Sequence, residues 1–187
     1  MMLATMKKEA IEDYLNVTFA DALFEMFNGA VNASVTKDDS GAIKIIWNDE
    51  RPQPKFQEVE NFRSKLKLDR LKEYKSNLVR VMFQVAQSEN YTVKSGQTLQ
   101  ADYDSVQALD GAVRLVEQAG LKDVVLYGAD NTPKTYSVKE AKDIITELAV
   151  RWQGIFAKKQ SLLVELNSLN SLGEVEAFTP EFKNQKE

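Results

Sequence analysis

The sequence predicts an α+β protein, mainly helical, and three observations carry that prediction. A stretch from about residue 56 to 88 runs without proline or glycine. A second stretch, from about 138 to 170, repeats apolar residues at alternating steps of four and three. Around them lie pairs of short β-prone runs, each pair flanking a polar turn that contains glycine.

Composition narrows the chemistry. The 187 residues suit one or two small domains, and 43% hydrophobic with 28% charged residues suits a folded chain with a core. Cysteine and histidine are both absent. That excludes disulfides, thiolate chemistry, sulfur-ligated metals and every Ser-His or Cys-His arrangement, so catalysis would have to rest on carboxylates, lysine or tyrosine. The net charge of −4 is mild and predicts no nucleic-acid partner. The densest basic run, Arg63 to Lys75, alternates with Leu66, Leu68, Leu71 and Glu73, and is expected to be a solvated helix face. The opening residues lack an apolar core of secretory length, and no apolar run approaches roughly 18 residues. No signal peptide and no membrane partner are expected, and an intracellular origin is. The acceptor-type triplets at Asn16, Asn32 and Asn90 are then chance matches.

Residues 1–50 read as a helix plus a β-hairpin. Ile11, Leu15, Phe19, Leu23 and Phe27 recur every four positions on one helical face, and Asn28-Gly29 is a helix stop. Asn16 and Thr18 leave open whether this segment is one helix or two. Runs at Val31–Thr36 and Ala42–Trp47 flank Asp38-Asp39-Ser40-Gly41. That acidic pair lacks the alternate oxygen ligands and distal glutamate of a calcium loop, so a polar turn is expected.

Residues 51–55, "RPQPK", read as a proline-containing linker. The helix from Phe56 to Ser88 would be roughly 50 Å long, and its apolar positions include Val59, Leu66, Leu71, Tyr74, Leu78, Val81 and Val85. Tyr91-Thr92-Val93 and Thr98-Leu99-Gln100 flank Lys-Ser-Gly as a second hairpin. Asp104 or Ser105 is expected to cap a helix with Leu109, Val113 and Val116 on its face and a stop at Gly120. Asp102 and Asp104 would share a face if both lay in a strand, where they could hold Mg²⁺ or act as acid and base. The cap reading is preferred, so no catalytic, cofactor-binding or metal residue is assigned.

"DVVLYGADNTPKTYS" reads as strand, turn, strand, with Gly128, Asp130, Asn131 and Pro133 as turn residues. A strand separates this turn from the next helix, which excludes a phosphate loop. Ser137 and Glu140 form a capping box. The helix it opens carries a heptad seam: Ala141, Ile145, Leu148, Trp152, Ile155, Lys159, Leu162, Leu166 and Leu169. Lys159 is its one polar interruption, a candidate register device, and Gly154 weakens the helix by about 1 kcal/mol relative to alanine. Two readings of the seam stay open: an intramolecular hairpin with the 56–88 helix, or a dimeric or trimeric coiled coil. Residues 177–187, "AFTPEFKNQKE", are expected to be a polar, mobile tail.

These stretches taken in order carry a resemblance. Gln100-Ala101-Asp102 with Ser105, then Asp130-Asn131-Thr132-Pro133, then a Leu-rich helix ending "LLVELNSLNSLGEVEAF", resemble an uncharacterised C-terminal domain family of tailed-phage and prophage tail genes. The match covers about Leu66 to Ala177, which makes 56–176 a phage tail-type domain. "IKIIWNDERPQPKFQEVE" is also similar to N-terminal parts of phage tail-fibre-associated proteins. The chain departs from the family at Val106-Gln107-Ala108, where members often carry Arg-x-Asn. The resemblance implies a non-enzymatic tail component or tail-fibre assembly factor without a cofactor. Its partners would be other tail or tail-fibre proteins, with a dimer or trimer of the chain itself as a further expectation. Its place would be the host cytoplasm during assembly, or the virion tail. The alternative is a small intracellular phage-encoded regulator that inhibits a host protein.

Overall fold

The computed structural model describes residues 16–182. The protein is α+β, and 56% of the described residues are helical, with long helices and small two-stranded antiparallel sheets. In chain order the described elements are α1 (Phe19–Met26), β1 (Ala33–Lys37), β2 (Ile43–Trp47), α2 (Phe56–Ser88), β3 (Tyr91–Thr92) and β4 (Thr98–Leu99). There follow α3 (Tyr103–Gln118), β5 (Asp123–Tyr127), β6 (Pro133–Ser137), α4 (Val138–Ser168) and α5 (Leu172–Ala177). Ile11 and Leu15 of the expected first stripe lie outside the described residues.

The chain forms two compact units, Met1–Asn77 with Leu166–Phe178, and Leu78–Glu165 with Thr179–Glu187. The division therefore falls inside α2 and α4, not at the 51–55 linker. The reason is visible in the first unit. Val59 and Phe62 of α2 share one core with Phe19, Ala22 and Leu23 of α1 and with Val35, Ile43, Ile45 and Trp47 of the hairpin. The linker is itself tied down: Trp47 Nε1 donates to Arg51 O at 2.7 Å, and Arg51 pairs with Asp49 and donates to Ala30 O.

Local chemistry sets the ends of α1. Thr18 caps it in a box with Asp21, each side chain meeting the other residue's backbone N–H. At its other end Asn28, at φ +53°, takes the left-handed position expected of glycine. Gly29 N–H then reaches Phe24 O, and Asn28 N–H reaches Glu25 O.

Not all of the apolar positions of α2 are buried. Val81 and Val85 are 59% and 58% exposed, and the buried positions run Leu71, Lys75, Val79, Phe83 and Ala86. The basic run is likewise not a free solvated face. Arg63 donates to Val17 O, Lys72 to Asn167 O, and Lys75, 5% exposed, to both Glu176 O and Phe178 O. In the first unit these cations hold backbone carbonyls near the ends of neighbouring segments, α5 among them.

In the second unit α2 and α4 run antiparallel. Phe83 meets Phe156 edge-on at 6.2 Å, and Trp152 Nε1 donates to Gln87 Oε1 at 3.3 Å. A separate core gathers Val93, Leu99, Ala101, Val106, Val113, Val124, Leu126, Tyr136 and the start of α4. The expected polar tail also needs correction over residues 177–182. Phe178 and Pro180 are buried and Phe182 is half-buried, with its ring 6.5 Å from that of Phe83. No helix among the described residues is long and apolar enough to cross a membrane.

Candidate functional site

The aspartates that could have held a metal are bound to their own backbone. Asp102, and neither Asp104 nor Ser105, is the cap of α3. Its oxygens accept from Ser105 N at 2.9 Å and from Ser105 Oγ at 2.7 Å. The Ser105 hydroxyl is the main reason its carboxyl lies below the ordinary aspartate range. Asp104 stands exposed in the first turn of the helix. Asp130 accepts from Thr132 N at 3.0 Å, which holds its carboxyl low in the same way. Asp38 accepts from Ser40 and Ala42 within its turn. Among the described residues no three acidic side chains group to hold a metal ion. The box at the start of α4 forms as the sequence predicts, with Ser137 N to Glu140 Oε2 at 2.8 Å and Glu140 N to Ser137 Oγ at 3.3 Å.

The two stretches that carry the tail-protein resemblance lie in the second unit, and residues flanking them meet. Ala129 N–H donates to Thr98 O at 2.8 Å, so the β5–β6 turn docks on β4. A Cβ at Gly128 would lie 3.3 Å from Thr98 O and 2.6 Å from Asp130 Oδ1, so this close approach favours glycine. Tyr136 OH donates to Gln97 Oε1 at 2.9 Å and lies 3.1 Å from Ser95 Oγ, while Lys134 Nζ reaches Ser95 O. Gln97 Nε2 in turn reaches Thr132 O. The departure at Val106-Gln107-Ala108 is half interior, since Val106 fills the core and Gln107 and Ala108 are exposed.

The nine seam positions are all buried or half-buried within the single chain. Ala141, Ile145 and Leu148 belong to the core of the second unit. Trp152 stacks on Phe156 at 5.2 Å and lies 5.0 Å from Tyr103. Lys159, the polar interruption, sets its ammonium 4.5 Å from the Phe83 ring centre and 5.0 Å from that of Phe156. Leu162 is buried, and in the first unit Leu166 is buried and Leu169 half-buried. Most of the stripe is thus covered within the chain, while Ile145 and Ile155 each line an open surface.

That surface is a groove of about 1570 Å³ in the second unit. It is lined by residues 89–95, by Tyr136, by one face of α4 from Glu140 to Lys158, and by Glu181 and Phe182. Gly154 faces this groove, exposed. Arg151, beside it, donates to Ala86 O, Glu89 O and Ala101 O, with its guanidinium 5.4 Å from the centre of the Tyr91 ring. Burial lowers its pKa from the usual arginine value. Sequence periodicity could not find this groove, because three segments far apart in the chain line it. No known family, curated protein or solved structure matches the chain.

Proposed function

We propose that this protein is a non-enzymatic phage or prophage tail protein. On this reading it is a structural component or tail-fibre assembly factor that works by contacts with other tail proteins. One observation carries the reading. The stretches that resemble the tail-gene family, Gln100-Ala101-Asp102 with Ser105 and Asp130 to Pro133, lie at the junction of β4 with α3 and in the β5–β6 loop with the start of β6, next to the Ala129–Thr98 hydrogen bond that ties that loop to β4. Residues scattered over 34 positions thereby belong to one connected feature, as the signature of a shared fold would. The aspartates in both stretches shape backbone, which fits an assembly role better than acid–base work.

The test is to tag the protein in a phage or prophage that encodes it, then purify virions and the soluble host extract. Retention in mature particles, or recovery with the tail-fibre protein before particles are complete, is the expected result. Absence from both, with recovery of a defined host protein, would replace this reading with the host-inhibitor alternative.

A further inference from the structure

We infer that the outer face of α4 in the second unit is a two-fold interface with a second copy of this chain, a face distinct from the mostly covered heptad seam. The argument begins with two charges. Asp143 and Lys158 are exposed and make no hydrogen bond or ion pair among the described residues. Some charges in this unit are engaged: Lys142 meets Glu117 at 2.6 Å, Arg114 meets Asp110 at 2.6 Å, and Glu147 accepts from Lys94 N.

Asp143 and Lys158 both line the groove, on one face of one helix, roughly 22 Å apart by helical rise. Halfway between them lies Val150-Arg151. Val150 is 67% exposed, and Ile144 and Ile155 line the same groove on either side of it along α4. The charges are also segregated along this face. Glu140, Asp143 and Glu147 occupy its first turns, and Arg151 and Lys158 its later ones.

Such a face is complementary to itself when turned end for end. A two-fold axis at Val150-Arg151 sets Asp143 of each copy against Lys158 of the other and brings the two Val150 side chains together, with the two Arg151 residues beside them, each guanidinium turned onto Ala86 O, Glu89 O and Ala101 O of its own chain. It also sets Glu147 against Gly154, the one position on this face with no side chain to obstruct it. An isologous contact needs this kind of match, in which residue i meets j and j meets i. The seam is less available, because five of its nine side chains are buried within the chain and the other four are half-buried.

The experiment is solution mass by light scattering on the full chain at low salt, over a wide concentration range. Circular dichroism and thermal melts would confirm that each variant folds. The wild type is expected to reach twice the monomer mass. Asp143→Lys alone, or Lys158→Asp alone, sets like charges against each other twice and should weaken the dimer about tenfold. The two substitutions combined in one chain should restore it. A wild type that stays monomeric or forms a trimer would overturn the inference. So would a dimer whose strength ignores the single swaps, or one that the combined swap fails to rescue. None of these outcomes depends on the tail-protein reading, which is tested in virions.

Discussion

Lys75 stands where an apolar periodicity would place leucine or methionine, in step with Leu71 and Val79. Its ammonium satisfies Glu176 O and Phe178 O, which close the end of α5. Lys75→Met keeps the packed stem but strands two carbonyls, and should lower unfolding stability by about 1–3 kcal/mol. A urea midpoint unchanged from that of Lys65→Met, at an exposed position of the same helix, would contradict this assignment. Asp102 acts at the same scale. Its folded-state pKa is depressed, chiefly by the Ser105 hydroxyl, so its stabilising contribution is complete above the unfolded aspartate value and is lost as pH falls through the folded one. Asp102→Ala should cost about 1 kcal/mol near neutral pH. The gap from wild type should close as pH falls through the acid range, measured by denaturant unfolding at successive pH values. In the sequence Asp102 was recognisable as polar punctuation, but the neighbouring Asp104 and Ser105 offered equally good caps. Only the extended backbone at Asp102 decides among them.

The three hairpins are built on one loop. Asp38 N bonds Ala42 O, Val93 N bonds Gln97 O, and Gly128 N bonds Thr132 O. In each, the residue three positions on, Gly41, Gly96 or Asn131, has positive φ and donates back to the first residue's carbonyl. Every one of these loops leads through its second strand towards a helix, so a hairpin followed by a helix occurs three times in the chain. Asn131 is the odd member, and asparagine tolerates the left-handed conformation where other side chains do not. Asn131→Gly should therefore leave stability nearly unchanged, while Asn131→Ala should cost about 1 kcal/mol. Equal thermal midpoints for the two variants would show that the conformation is not what selects this residue. The hairpins were legible because turn chemistry is local. The buried face of α2 was less so, since Val81 and Val85 keep helical spacing yet meet nothing. Their exposure depends on where α4 runs in the second unit, which no local pattern encodes.

Across the whole chain, the sequence marked the extents of both long helices closely, because unbroken helical spacing and a capping box need no tertiary information. The two compact units were not visible in it. Each joins segments far apart in the chain, and the strongest local punctuation, the prolines at 52 and 54, lies within the first unit. The groove was hidden for the same reason. The carboxylates show how the global arrangement bears on chemistry. Asp38, Asp102, Asp130, Glu140 and Glu174 each accept from a backbone N–H within four residues. A divalent cation binding at any of them would compete with that hydrogen bond, and no group of three acidic side chains stands by to compensate among the described residues. A ligand that binds the folded state raises the melting temperature by mass action, whereas one without a site does not. Millimolar Mg²⁺, Mn²⁺ or Ca²⁺ should accordingly leave the thermal midpoint where an equal ionic strength of NaCl leaves it. A metal-specific rise, abolished by Asp102→Asn or Asp130→Asn, would show that these side chains hold an ion as well as shape the backbone, and would reopen the carboxylate-enzyme reading.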